Sequence, residues 1–427
     1  MSELTTAQVP TGAATVVRFG RAFGPGIMLA GAAIGGSHLV SSTQAGAIFG
    51  WGLLPVLLAV NLAKYPFFRA AVQYTSATDE TVLHGYARLG RAHVGVFFLI
   101  TLLTSILNIA GVIMITASLA LLVGLPETVS LASSAIVTTW LCAGLVLANR
   151  FSLLSGIIQI VIVVLFAATF VALGLAAMHF AEAPDAQRVS QAVDLASIGF
   201  IIQFMGWMPA PIDVAAWPSI WARQQATECG YSMTWRSRSL DFHVGYIVTV
   251  ILAMMFLALG KLVYGGTNEP VAMIGGAFAR DLVDLYAGAI GTWAVPLIAG
   301  AAFLTMFSTA LTCFDAWPRS LALSLSLLLG APQQDGLLRL VFLLGLALAC
   351  LLTIGFWSDN VGELLFLAMV VSFTTSPILA WFNLRVMQLA NVPPGMRFGP
   401  ALVALSWFGL VFLVLGSVAF IIWLVAT

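Results

Sequence analysis

Two short stretches of this chain set polar side chains and helix-breaking residues inside runs that are otherwise apolar. The first is Gly35-Gly36-Ser37-His38, followed by Ser41, Ser42 and Thr43. The second is Met208-Pro209-Ala210-Pro211, followed by Asp213. Adjacent glycines weaken a helix and let backbone approach a ligand closely. Two prolines at i and i+2 remove backbone donors and stop a helix outright. The groups gathered around these breaks can bind and release. An imidazole such as His38 can ligate a metal or exchange a proton near neutral pH. The carboxylate of Asp213 can hold a cation or a proton, or simply serve the N-terminus of the helix that restarts after Pro211. The thioether of Met208 is a soft, weak neutral donor.

The surrounding chain decides what kind of protein carries these breaks. Of 427 residues, 61% are hydrophobic and 8% charged, against roughly 25% charged in soluble domains. A soluble enzyme is excluded, and a polytopic membrane protein is expected. The net charge is zero, and no basic tract points to nucleic acid. Cys142, Cys229, Cys313 and Cys350 are scattered without a CxxC pair, so neither a disulfide framework nor a zinc site is signalled. No nucleotide-binding motif is present, and no cofactor or enzymatic activity is expected.

A membrane helix needs about 20 apolar residues. Eleven such runs are predicted, at 24–48, 51–76, 94–123, 129–148, 153–180, 196–222, 240–263, 289–323, 337–356, 361–388 and 400–425. With residues 1–23 as a cytoplasmic tail without a signal-peptide pattern, only Arg188, Lys261 and Arg280 of the 17 basic residues fall outside, leaving 17 − 3 = 14 inside. That bias fits the positive-inside rule and puts the C-terminus outside, in a bacterial inner membrane. Two long connections are expected: an interfacial segment from Arg223 to Phe242 inside, and a surface helix from Val271 to Leu285 outside. Lys64 and Arg69, near the inner half of the second span, are expected to snorkel to headgroups. Asp315 and Arg319, four residues apart, are expected to pair. Ser372, Thr374, Thr375 and Ser376 beside Pro377 could face the site or bond their own helix.

The two breaks fall in the first and sixth spans, the first members of two five-span sets. Interrupted spans at matching places in two halves point to an inverted-repeat transporter with its site at the bilayer midplane. The domains follow: a first repeat over 24–180, a second over 196–388, and span 11 at 400–425. Irregular backbone at this depth is tolerated only where protein or a watery cavity satisfies it.

The stretch "GPGIMLAGAAIGGSHLVSSTQAGAIFGW" resembles the first span of the Nramp family of proton-coupled divalent-metal transporters. The likeness lies in Gly24-Pro25-Gly26, in Gln44-Ala45-Gly46-Ala47 and in Phe49-Gly50. "GWMPA" resembles the family's sixth-span Met-Pro-His signature, and "LNIAGVIMITASLALLVGLP" its third span. The resemblance implies an all-α, LeuT-like fold, a 5+5 inverted repeat with broken first and sixth helices plus an eleventh, working by alternating access. The chain departs from the family where the family binds metal. Gly35, Gly36, Ser37 and His38 stand in place of Asp-Pro-Gly-Asn, and Ala210 replaces the histidine of Met-Pro-His. Asn108 and Gly111 replace an acidic pair associated with proton movement.

Losing the carboxylate leaves a divalent charge poorly compensated in a low-dielectric site. The expected cargo is therefore a small polar organic solute, bound between Gly35, Gly36, Ser37, His38, Ser41 and Thr43 on one side and Met208, Pro209, Ala210 and Asp213 on the other. Asp213 and His38 are the candidates for proton coupling. The alternative is a divalent-metal transporter using His38, Met208 and Asp213. A reading of another class is a passive channel or a transporter-like sensor.

Overall fold

The computed structural model describes residues 24–426 apart from 125, 127, 149–150, 182–190, 192, 195–196, 231, 265–282, 284–290, 293–294, 331–334 and 358–359. The tail expected at 1–23 and, but for residue 283, the expected surface helix from Val271 to Leu285 lie outside the described residues. What is described is helical. In chain order the α-helices are α1 (Pro25–Ala33), α2 (Thr43–Phe49), α3 (Leu54–Thr78), α4 (Val82–Leu89), α5 (Arg91–Leu122), α6 (Leu131–Ala148), α7 (Phe151–Ala181) and α8 (Ile198–Trp207). They continue with α9 (Trp217–Cys229), α10 (Trp235–Tyr264), α11 (Val295–Leu329), α12 (Asp335–Phe356), α13 (Val361–Thr374), α14 (Ser376–Val386) and α15 (Pro400–Ala426).

Ten described stretches are long and apolar enough to cross a membrane. One of them, Ser37–Thr78, is 42 residues long, about twice what one crossing requires. Its middle turns at Gly50, whose φ of 58° only glycine adopts freely. Contacts with α10 show that the chain reverses there. Gly26 packs on Asp241 and Gly46 on Leu257, so the first span runs parallel to α10. Asn61 then meets Tyr246 and Tyr65 meets His243, so α3 runs back antiparallel to it. The first two predicted spans are thus separate passages, which reconciles ten stretches with eleven spans.

Burial sorts the helices into an inner and an outer set. The windows centred on α8–α9 and on α11 are 78% buried, whereas those on α7 and α15 are 28% buried. The outer helices expose Ile160, Val163, Phe170, Ile421 and Ile422, the apolar surface that lipid covers.

Both predicted breaks are present. In the first span α1 ends at Ala33, and a wide helical turn from Ser37 to Ser42 leads into α2. In the sixth, α8 ends at Trp207 and a short 3₁₀ turn, Ile212–Ala216, leads into α9. The tenth span is also interrupted at Thr375, between α13 and α14. Its hydroxyls bond their own helix: Ser372 to Ala368, Thr374 to Val370, Thr375 to Val371 and Ser376 to Ser372. The expected interfacial connector is shorter than predicted. Most of Arg223 to Phe242 belongs to α9 and α10, with Gly230 in the left-handed region ending α9.

The Gly24-Pro25-Gly26 entrance has a long-range partner. The Asp241 carboxylate accepts from the backbone N–H groups of Gly24 (3.1 Å), Gly26 (2.6 Å) and Ile27 (3.2 Å). These are orphan donors of a helix start, and an acid there also meets the positive end of the helix dipole. A Cβ on Gly26 would come within 2.5 Å of the Asp241 backbone, so only glycine permits the approach. The substitution Asp241→Ala leaves buried donors without acceptors. Its expected cost is at least about 2 kcal/mol, read as a lowered melting temperature of the purified protein in detergent.

Candidate functional site

The first break is closed by hydroxyls. Thr309 of α11 places its Oγ1 3.0 Å from the carbonyls of Gly31 and Ile34 and 3.1 Å from that of Thr305, its one proton going to one of the three. Ser37 Oγ lies 2.9 Å from Ala33 O and 2.7 Å from His38 Nδ1, and Ser42 donates to Ser37 O at 3.0 Å. Protein hydroxyls rather than lipid thus stand beside the carbonyls of the break. Gly35 admits the Thr309 side chain, whose Oγ1 would lie 2.9 Å from an added Cβ.

The sixth break is closed by a cation. Lys64 of α3 is fully buried, and its Nζ donates to the carbonyls of Met205 (2.8 Å), Gly206 (3.0 Å) and Ala210 (3.2 Å). This corrects the expectation that Lys64 snorkels to headgroups: its side chain points inward to the break. Arg69 lies further along α3, bonded to Gln73 and Tyr65 and over the Trp235 ring. The pattern of α3 gave no warning, because Lys64 occupies a position whose neighbours Ala63 and Tyr65 are as apolar as the rest of the span.

Between the two breaks lies a cavity of about 40 Å³, lined by residues of both. That is room for about three waters on the usual requirement of 10–15 Å³ each. From the first break it takes Gly35, Gly36 and Ser37; from the sixth, Pro209, Ala210 and Pro211. The remaining wall includes Asn108, Thr309 and Cys313 and the indoles of Trp207, Trp217 and Trp317. Of the ten expected site residues, Gly35, Gly36, Ser37, Pro209 and Ala210 therefore line one space.

The other five lie outside that lining. His38 is buried, with Nε2 donating to Thr249 O at 2.9 Å and Nδ1 2.7 Å from Ser37 Oγ, so its ring is engaged with α10. Ser41 donates to the sulfur of Met369. The Thr43 backbone packs against Gly260, and Met208 is fully buried. Asp213 stands one layer behind the wall. Its Oδ2 accepts from Trp317 Nε1 at 2.8 Å and from Thr104 Oγ1 at 3.1 Å. Trp317 in turn meets Trp217 edge-on at 4.9 Å.

Asn108 and Gly111, at the positions of the resembled family's acidic pair, have a different task here. Asn108 Oδ1 accepts from Trp207 Nε1, and its amide donates to Ser372 Oγ. The indole lies against Gly111 on one side and Gly36 on the other. Gly36 thus makes room for the indole, and Gly111 for the Leu365 side chain. Asp315 pairs with Arg319 at 2.7 Å as expected, and additionally with Arg339 and Trp221. Sequence reasoning did not identify Lys64, Trp207, Trp217, Trp317 or Thr309. A methyl on Gly36 would lie 2.5 Å from the Trp207 ring, whereas one on Gly144 of α6 meets nothing within 4 Å. The expectation is that Gly36→Ala lowers the melting temperature by several degrees. Gly144→Ala should leave it unchanged or raise it slightly, by the better helix propensity of alanine.

No family model matches the chain. Among solved structures, a variant of the manganese transporter of Eremococcus coleocola has a TM-score of 0.68, covering 97% of this chain and 88% of that one at 15% identity. Mhp1, a nucleobase-cation-symport-1 family transporter in a closed conformation with bromovinylhydantoin bound, covers 94% and 92% at 14% identity with a TM-score of 0.59. These likenesses establish a LeuT-like fold for an integral membrane protein. A sequence relative is closer: the uncharacterized protein PM0681 of Pasteurella multocida (strain Pm70) is 38% identical over 405 residues, 94% of this chain and 92% of its own length. At that identity over most of both lengths, the chain belongs to the same family as PM0681.

Proposed function

We propose that the protein is a secondary transporter that carries a small, uncharged or zwitterionic polar solute between its two broken helices by alternating access. The observation that carries this reading is the cavity wall itself. It offers Ser37, Asn108, Thr309, backbone of the breaks and three indoles, groups that hydrogen-bond and stack but bear no charge. Pockets of mostly apolar lining with a few placed polar groups suit small organic ligands. With the cavity at about 40 Å³, a solute larger than a few waters needs the breaks to separate, as alternating access requires. With no nucleotide-binding motif in the sequence, an ion gradient would drive transport; the orientation, with the N-terminus inside, belongs to the same proposal and rests on the positive-inside bias of the sequence.

The alternative cargo, a divalent cation, meets two physical obstacles. Among the described residues, no three His, Cys, Asp or Glu side chains converge as a metal site would require. In addition, the Ala210 peptide that lines the cavity carries the Lys64 ammonium on its carbonyl. An ammonium immediately behind the wall repels a metal in a low-dielectric site. His38 and Met208 lie outside the lining, so neither offers it a lone pair without rearrangement.

The test is thermal stabilisation of the purified protein by a panel of amino acids, small amides, nucleobase-like heterocycles, Mn²⁺ and Cd²⁺, since a ligand raises apparent stability by mass action. One of the organic solutes is expected to raise the melting temperature and then to be taken up by proteoliposomes. Mn²⁺ and Cd²⁺ are expected to have no effect. Saturable Mn²⁺ binding that disappears in His38→Ala would reject the solute reading.

A further inference from the structure

The ammonium of Lys64 spends every donor it has on backbone. An NH₃⁺ group has three N–H donors, and three carbonyl oxygens accept from it, at 2.8, 3.0 and 3.2 Å. None is left for a solute. Met205 and Gly206 belong to the last turn of α8, whose final carbonyls have no helical partner. Ala210 lies beyond Pro209, so one cation ties together the two sides of the break. The negative end of the α8 dipole favours a cation at this place. In transporters with discontinuous helices, such carbonyl ends coordinate a coupling Na⁺ or proton.

Resting on the transporter reading above, we propose that Lys64 is a tethered cation filling an alkali-cation site, so that the sixth-span break is held closed without Na⁺. The side chain supplies on a covalent tether what a dissociable ion supplies elsewhere: a cationic donor group that gathers the carbonyls of Met205, Gly206 and Ala210 around one point. Lys64 is accordingly a positioning residue. It sets the shape of the Ala210 peptide, and through it the cavity wall, without touching the cargo. Removing the ammonium should not merely loosen the break. It should leave a buried, oxygen-lined space beside Asp213 that a hard monovalent cation can enter with its waters.

The measurement uses the full chain in detergent and Na⁺ alone as probe. Melting temperatures are compared in NaCl and in choline chloride, both at about 100 mM so that screening is equal. The wild type is expected to melt at the same temperature in both. Lys64→Ala is expected to melt lower in choline and to recover by several degrees in NaCl, with retention of ²²Na⁺ in equilibrium dialysis that the wild type lacks. A lysine with a purely structural role would lower stability without creating that salt specificity. Na⁺-specific stabilisation of the wild type overturns the proposal, as does a Lys64→Ala protein that melts alike in both salts. Should Lys64→Ala not fold, Lys64→Gln keeps two amide donors, lacks the charge and carries the same comparison. No solute enters these readouts, so their failure leaves the cargo proposal standing, and a failed solute screen leaves this one standing.

Discussion

A helix broken in the middle of a bilayer exposes carbonyl oxygens that water cannot reach, and each unsatisfied group costs free energy. The contact between the Lys64 ammonium and the carbonyls of Met205, Gly206 and Ala210 answers that problem for the sixth span. It is an expensive answer, because taking an ammonium out of water costs several kcal/mol even after relaxation. The cost is offset in that the contact satisfies three acceptors at once and sits at the negative end of α8. Once it is made, the positions of Pro209, Ala210 and Pro211 are determined, and with them one wall of the cavity.

The first span solves the same problem with neutral groups. Thr309 and Ser37 set hydroxyls beside its carbonyls, and Gly35 and Gly36 are small so that Thr309 and Trp207 can approach. The two breaks are therefore asymmetric in charge, with a hydroxyl clamp on one side and an ammonium clamp on the other. That asymmetry gives the cavity its character. Its surface is aromatic and hydrogen-bonding, while the two buried charges, Lys64 and Asp213, stand behind the lining and bear on it through the Ala210 peptide and the Trp317 indole.

Much of this was legible in the residues. Long apolar runs fixed the spans, because a membrane helix leaves little freedom in length or composition. Paired breakers at Gly35-Gly36 and Pro209-Pro211 marked where helices stop. What stayed hidden is azimuthal and long-range. The sequence gives the depth of Lys64 along α3 but not the side toward which it points, and a basic residue near a span end reads equally well as a headgroup anchor. Likewise Asp241, more than two hundred residues from Gly24, shows no local sign of capping α1. The polar cluster after Gly36 read as a wall of ligands, yet a helical turn spreads such a run over all faces: Ser37 meets the cavity, His38 meets α10 and Ser41 meets α13.

The positions that part from the resembled family fit together as one change. With a glycine at 36 the space beside the first break admits an indole, and Asn108 Oδ1 accepts from the N–H of that indole. A side chain at 111 would meet Leu365 before it met Trp207. The Lys64 ammonium stands on the sixth-span side, behind the Ala210 peptide rather than in the lining. Uncharged lining, aromatic filling and an internal ammonium are thus mutually consistent, and each would be costly without the others. Local choices at these neighbouring positions thus agree with one another, as a well-ordered interior requires.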